Sequence, residues 1–220
     1  MKRYFLFDLD GTLCDTGAGV MGSVKYALGK LGWPEQEETF LRQFVGPPLM
    51  ESFTAFCGMD EAAAQQAISI YREKYNAWGV YQSQLYPGMD RLLTRLGEVA
   101  VLGVATSKRE QGARKILAMR GVEGAFSVVV GDDGSRPSKA LVVTEALRML
   151  GGPELAQVVM IGDRRYDVEG ALACGVETIG AEYGYAPAGE LAQAGAKWLV
   201  RNVGELQELC LSLAGERIGE

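Results

Sequence analysis

Short apolar runs alternate along most of the chain with segments whose apolar side chains recur at helical spacing. The apolar runs lie at 4–8, 99–104, 126–130, 157–161 and 176–179, with a weaker one near 197–200. The segments with helical spacing lie at 89–96, 109–119, 139–150 and 165–173, with a weaker one at 203–213. Unbroken apolar runs are typical of strands that are covered on both faces. The alternation therefore predicts an α/β fold with a doubly wound parallel sheet.

A different pattern fills residues 16–83, where helical segments follow one another with no clear strand between them. These segments lie at 17–31, 37–44, 49–56 and 61–78. We therefore expect residues 16–83 to form a helical insert, and residues 1–15 and 84–220 to form the α/β core. Ligands of an open parallel sheet bind beyond the carboxyl ends of its strands. The residues directly after each apolar run are thus the candidates for a functional site.

Polar side chains follow four of the predicted strands. In chain order they are Asp8 and Asp10, then Thr106 and Ser107, then Lys139, and finally Asp163 and Asp167. The predicted topology gathers them at one edge of the sheet. Carboxylate and carbonyl oxygens suit a hard cation, and we expect Mg²⁺. Asp8 and Asp163 are the best candidates for side-chain ligands.

These residue types fit phosphoryl transfer. A carboxylate such as Asp8 can attack a phosphoryl group and form an aspartyl-phosphate, while Lys139 screens the charge. Asp10 can protonate the departing alkoxide and later deprotonate the attacking water. Thr106 can donate a hydrogen bond to a phosphoryl oxygen. If a helix starts near Lys108, its free N–H groups would help to bind the anion.

Composition narrows the choice of function. The chain has 220 residues and a formal net charge of -6, which argues against broad nucleic-acid or anionic-membrane binding. It has no histidine, which excludes Ser-His-Asp and Cys-His catalysis and argues against a zinc site. No apolar stretch reaches the roughly 18 to 20 residues that span a bilayer. Because Asp8 interrupts the first apolar run and no cleavage site follows, we expect a cytoplasmic protein.

The ordered motifs resemble those of the haloacid dehalogenase superfamily. They are Asp8-Leu9-Asp10-Gly11-Thr12-Leu13, Thr106, Lys139, and Gly162-Asp163 with Asp167. The resemblance implies that Asp8 is the nucleophile and a metal ligand, and that Asp10 is the general acid/base and binds the metal through its backbone carbonyl. It implies that Thr106 binds the phosphoryl group and that Lys139 balances charge. It further implies that Asp163 binds Mg²⁺ and that Asp167 supports the metal shell or Lys139. Within this superfamily, an aspartate at position 10 marks phosphatases and phosphomutases. The insert at 16–83 resembles the superfamily's small helical cap.

The stretch Phe44-Val45-Gly46-Pro47-Pro48 resembles the substrate-facing loop of phosphoglycolate-phosphatase-like members. Gly46 and Arg42 are accordingly candidate substrate-binding residues. Ser107 is a further candidate, because it stands beside Thr106 after the 99–104 run. Arg42 would offer a cation to a substrate carboxylate. A rigid turn is the alternative reading of this stretch. Arg164 and Arg165 depart from the small residues that are usual after Gly162-Asp163, and they are either surface charges or partners of Asp167.

We therefore expect a Mg²⁺-dependent phosphatase that hydrolyses a small, phosphoglycolate-like phosphomonoester through an aspartyl-phosphate. Its partner would be a small phosphorylated metabolite, without nucleic acid or membrane, and the protein would be a monomer or homodimer. The alternatives are a phosphosugar mutase, a 5′-nucleotidase or pyrophosphatase, and a non-catalytic module that binds phosphorylated ligands. A nicotinamide-binding protein is disfavoured, because the GxGxxG match at 17–22 does not directly follow a strand.

Overall fold

The computed structural model describes residues 1–216 and contains one large parallel sheet. In chain order the strands are β1 (Tyr4–Phe7), β2 (Cys14–Asp15), β3 (Gln84–Leu85), β4 (Val101–Arg109), β5 (Val128–Asp132), β6 (Val158–Gly162), β7 (Glu177–Ala181) and β8 (Trp198–Val200). Six of them form the sheet in the spatial order β5-β4-β1-β6-β7-β8, and each neighbouring pair is parallel. β1 is therefore central, with β4 and β6 on its two sides.

Helices follow the strands of the sheet and cover both of its faces. The helices are α1 (Gly17–Lys30), α2 (Glu38–Arg42), α3 (Leu49–Cys57), α4 (Glu61–Ala77), α5 (Met89–Gly97), α6 (Glu110–Met119), α7 (Lys139–Met149), α8 (Arg165–Ala173), α9 (Glu190–Gln193) and α10 (Val203–Ala214). Phe5 and Phe7 of β1 belong to the apolar cluster that includes α5, α6 and α10. Leu6 points to the opposite face, into the cluster of α7 and α8. The predicted α/β architecture is thus confirmed.

Helices α1 to α4 form the helical insert between β2 and β3. β2 and β3 pair antiparallel, with Cys14 opposite Leu85, so the two ends of the insert lie side by side. Within it α1 packs on α4. The domain boundaries at residues 16 and 83 stay a prediction, and the predicted end of the core at residue 220 lies outside the described residues. Among residues 1–216, no helix has both the length and the apolar character that crossing a bilayer requires.

Strand β4 is longer than its apolar run predicts. The sequence predicts a strand that ends at Val104 and a helix from 109, whereas β4 continues to Arg109 and α6 begins at Glu110. The pairing of β4 with β5 shifts register between Ala105 and Arg109. Irregularities in strand pairing bend the strand and re-aim its side chains, often next to active sites. Lys108 therefore belongs to an irregular strand end, and α6, the helix that we expected to start near it, begins at Glu110.

Candidate active site

The candidate site lies where β1 adjoins β4 and β6. Strand order reverses on either side of β1, and open α/β sheets bind ligands at such a point. Asp8 directly follows β1, and Asp163 directly follows β6. Thr106 lies in the irregular end of β4, two residues beyond Val104, which pairs with Phe7. The predicted gathering of these residues at one edge of the sheet thus follows from the strand pairing.

Three buried carboxylates form the centre of the site. Asp8, Asp163 and Asp167 each place an oxygen within 4.8 Å of the oxygens of the other two. Lys139, at the start of α7, places its Nζ 2.5 Å from Asp8 Oδ1 and 2.5 Å from Asp167 Oδ1. Lys139 is itself buried. One ammonium thus pairs with two of the three carboxylates in a place where water screens charge poorly.

The charges of this cluster are unbalanced, and the pKa values show it. Burial raises the pKa of Asp8 to about 7, against the opposing attraction of Lys139. Burial also raises the pKa of Asp163 well above its usual range, and the charges of Asp167 and Asp8 add to this effect. Burial lowers the pKa of Lys139, but Asp167 and Asp8 outweigh it and bring that pKa to about 12. The cluster lacks positive charge, and its hard oxygen donors fit Mg²⁺.

The Gly-Thr pair that follows Asp10 holds Asp163 in place. Thr12 Oγ1 donates a hydrogen bond of 3.1 Å to Asp163 Oδ1, and the backbone N–H of Tyr185 donates one of 2.8 Å to Oδ2. Gly11 has φ +85°, and a Cβ at this position would lie 2.1 Å from Asp163 Oδ2. Only glycine combines this backbone conformation with so close an approach. The first motif therefore supplies the nucleophile candidate and also shapes the pocket for Asp163.

Asp10 forms a second buried charge pair, with Lys108. The Lys108 Nζ donates to Asp10 Oδ2 at 2.7 Å and to Oδ1 at 3.0 Å. The same ammonium lies 4.5 Å from the centroid of the Tyr75 ring, on α4 of the insert. Burial lowers the pKa of Lys108, but Asp10 and the nearby tyrosines more than offset it, so the net pKa is raised. Lys108 therefore stays charged and joins Asp10 to the insert.

Lys108 is the functional candidate that sequence reasoning missed. Its partner Asp10 is 98 residues away, so no local pattern links them. One signal was present: a lysine stands two residues after Thr106, at the end of an apolar strand. An unpaired charge there would be costly, so a carboxylate partner could have been sought among Asp8, Asp10 and Asp163.

The remaining predicted residues are placed as follows. Thr106 is buried and its Oγ1 accepts the backbone N–H of Lys108 at 3.3 Å, while Ser107 is half-buried. Arg42 donates a hydrogen bond to the carbonyl of Gly184 at 3.0 Å, and its guanidinium lies 4.5 Å from the centroid of the Tyr185 ring.

Gly46 packs against the side chain of Arg164. The roles of Thr106, Ser107, Arg42 and Gly46 in substrate binding stay predictions.

The two arginines after Asp163 differ in their surroundings. Arg164 is buried, and its backbone N–H donates to Asp167 Oδ2 at 3.0 Å. Arg165 is exposed and lies 3.7 Å from Glu51. Of the two alternatives that the sequence left open, Arg164 is a partner of Asp167 through its backbone, and Arg165 is a surface charge.

Comparisons with known proteins agree with this geometry. The family model described as haloacid dehalogenase-like hydrolase matches residues 5–181. A 5′-nucleotidase from Pseudomonas aeruginosa is 39% identical over 189 residues, with 84% of this chain and 85% of that protein covered. A solved structure of a predicted phosphatase from Clostridium acetobutylicum has a TM-score of 0.93 at 38% identity, with 96% of this chain and 99% of that chain covered.

A third relative is longer than this chain. The tyrosine-protein kinase PtkA from Mycobacterium tuberculosis is 43% identical over 183 residues, which cover 82% of this chain but only 62% of PtkA. The chain therefore spans less than two thirds of the length of that relative.

The family match extends over most of the chain and includes Asp8, Asp10, Thr106, Lys139 and Asp163. The chain belongs to the haloacid dehalogenase-like hydrolase family.

Proposed function

We propose that this protein is a phosphatase, which uses Mg²⁺ and hydrolyses a small phosphomonoester through an aspartyl-phosphate on Asp8. The observation that carries the proposal is the cluster of three buried carboxylates with one buried lysine at the carboxyl ends of β1 and β6. The side chains of Asp8 and Asp163 would hold the ion, together with the backbone carbonyl of Asp10, and Asp167 would support them. When bound, Mg²⁺ would offset the negative charge of the phosphoryl group.

Asp8 would be the group that attacks phosphorus. The contact of 2.5 Å with Lys139 fixes the direction of its carboxylate and favours its ionised form. In the first step one Asp8 oxygen bonds to phosphorus while the ester P–O bond breaks. In the second step a water oxygen bonds to the same phosphorus, and the bond to Asp8 breaks and restores the carboxylate. Lys139 and the Thr106 hydroxyl would balance and bind the phosphoryl oxygens.

Asp10 supplies and removes the protons of these two steps. A protonated Asp10 would give its proton to the departing alkoxide, and the resulting carboxylate would take one from the attacking water. The two hydrogen bonds from Lys108 fix the orientation of this carboxylate. Lys108 is therefore proposed as a positioning residue for Asp10. Its contact with the Tyr75 ring makes that orientation depend on the insert lying against the core.

The insert would close over the substrate, exclude bulk water and select the leaving group. Phosphoglycolate-like esters are the first candidates, on the resemblance of the 44–48 segment. Nucleoside monophosphates are the second, because a relative that is 39% identical is named 5′-nucleotidase. Transfer to a tyrosine hydroxyl, suggested by the name of PtkA, would require an acceptor to replace water in the second step. A cytoplasmic location and a monomeric or homodimeric state stay predictions.

A panel of phosphomonoesters, assayed with Mg²⁺ and with a chelator, tests the proposal. The panel contains 2-phosphoglycolate, nucleoside monophosphates and a hexose phosphate, and Asp8→Asn serves as the inactive control. We expect phosphate release that depends on Mg²⁺, with the smaller esters preferred. Isomerisation of the hexose phosphate without phosphate release would indicate a mutase instead. No turnover of any ester would overturn the proposal in favour of a binding module.

A further inference from the structure

Arg164 connects the carboxyl end of β6, where Asp163 lies, to the helical insert. It directly follows Asp163, and its backbone N–H is bonded to Asp167 Oδ2 at 3.0 Å. Its side chain is only 7% exposed. The backbone of Arg164 is thus fixed relative to two of the three clustered carboxylates. Its side chain extends from that fixed point towards the insert.

The guanidinium donates hydrogen bonds to backbone oxygens of the segment 43–46, which is part of the connection between α2 and α3. Nη1 donates to the Val45 carbonyl at 2.5 Å and, more weakly, to the Gln43 carbonyl at 3.5 Å. Gly46 has φ +101°, and a Cβ there would lie 2.6 Å from Arg164 Cγ. The 43–46 segment therefore lies directly on the arginine side chain, and glycine at position 46 makes that approach possible.

Glu190, at the start of α9, holds the other side of the guanidinium. Nε donates to Glu190 Oε1 at 3.0 Å, and Nη2 lies 3.5 Å from Oε2. Glu190 also accepts the backbone N–H of Arg165 at 2.9 Å. Hydrogen bonds that involve a charged partner are among the stronger ones, and a two-point contact also fixes orientation. Glu190 of the core thus orients the guanidinium, and Nη1 of the guanidinium is free to bond to the insert.

These contacts exist only while the insert lies against the core. If the 43–46 segment moved away, Arg164 would keep Glu190 but exchange its hydrogen bonds to the two carbonyls for hydrogen bonds to water. Hydrogen bonds from a charged donor have a net stabilising effect in proteins, so the loss of these bonds disfavours the open arrangement. The distance between the 43–46 segment and Asp163 is therefore set by the length of one arginine side chain.

We propose that Arg164 is a positioning residue that fixes the 43–46 segment over the phosphoryl site and thereby limits the size of the leaving group. The inference rests on the proposed function, because it concerns the substrate range of that same site. Arg164 does not touch the reacting atoms in this proposal. It acts through the segment that it holds.

Arg164→Gln tests this proposal, with Arg165→Gln as the matched control on the adjacent exposed arginine. The first measurement is hydrogen exchange of the backbone amides at 43–50 in the full chain without substrate. We expect exchange in Arg164→Gln to be about tenfold to a hundredfold faster, which corresponds to the loss of one or two charge-assisted hydrogen bonds. Arg165→Gln should exchange at the wild-type rate. Unchanged exchange in Arg164→Gln would overturn the proposal.

The second measurement determines KM and kcat separately for esters of increasing size, from 2-phosphoglycolate to a nucleoside monophosphate. In Arg164→Gln, KM for the small ester should rise about tenfold, and the ratio of kcat/KM for large over small esters should rise by a similar factor. An equal loss for all esters would mean a general structural defect and would contradict the proposal. If Arg164→Gln does not fold, Glu190→Gln should show the same changes to a smaller extent. If the wild-type protein hydrolyses no ester, the proposed function fails, while the exchange measurement still decides the role of Arg164.

Discussion

Asp8→Asn should abolish turnover and, in the absence of a divalent cation, stabilise the protein at neutral pH. Burial raises the pKa of Asp8 from 3.8 to about 7, so the folded protein disfavours the ionised carboxylate. Asparagine is close in shape to the neutral form of aspartate and carries no charge. A shift of about 3 pKa units, at about 1.4 kcal/mol each, gives a cost of about 4 kcal/mol for the ionised form.

The pH dependence of this gain follows from proton linkage. Between pH 3.8 and about 7 the unfolded chain has released the Asp8 proton, whereas the folded protein still holds it. Stability of the metal-free wild type therefore falls as pH rises through this window. The variant lacks this contribution. The unfolding free energy of Asp8→Asn should be close to that of the wild type at about pH 4. At pH 8 it should exceed the wild-type value by about 2 to 4 kcal/mol, which corresponds to about 4 to 16 °C in Tm.

Urea and thermal unfolding from pH 4 to 8, with a chelator present, measure this difference. Asp90→Asn, on the exposed first turn of α5, is the matched control and should show no such trend. Adding Mg²⁺ should stabilise the wild type more than Asp8→Asn, because the ion supplies the charge that the cluster lacks. If the variant is less stable than the wild type at pH 8, or if its gain in stability does not change with pH, then Asp8 does not carry a buried charge that destabilises the metal-free protein.

Three further substitutions have defined outcomes. Lys108→Met should lower kcat by about tenfold to a thousandfold, since it frees the carboxylate of Asp10, and a steady-state kcat within twofold of wild type would contradict that role. Gly11→Ala should remove both activity and the Mg²⁺-induced rise in Tm, because its Cβ would lie 2.1 Å from Asp163 Oδ2; a retained Tm response would count against this expectation. Tyr75→Leu should cost about 1 kcal/mol of unfolding free energy through the lost contact with the Lys108 ammonium, and urea titration measures it.

The apolar pattern predicted the sheet because its strands are covered on both faces. Runs such as 157–161 are long enough, and different enough from the helical segments, to be recognised without tertiary information. The two-residue strands β2 and β3 and the four-residue helix α9 carry too few positions for a pattern. The polar residues at the end of β4 are typical of a loop in the sequence. They are extended in the structure because Arg109 pairs with Asp132 of β5 beyond a register shift.

The carboxylate cluster could be predicted because parallel topology brings strand ends together. Asp8 and Asp163 follow apolar runs, and the order of the strands then places them at one edge. Contacts between the core and the insert could not be predicted in the same way. The bond from Arg164 to Val45 joins residues 119 positions apart and uses a backbone acceptor, which leaves no mark in the side-chain sequence.

If Asp8 takes the phosphoryl group from the ester, rapid acid quench during turnover should trap that group on Asp8. The wild-type protein is mixed with Mg²⁺ and its best ester, quenched within the first turnovers, digested, and the peptide that contains Asp8 is measured by mass spectrometry. We expect this peptide to carry one phosphoryl group on Asp8, and the group to disappear once the ester is consumed. Phosphate release at the full rate, with the Asp8 peptide unmodified at every quench time, would contradict the claim.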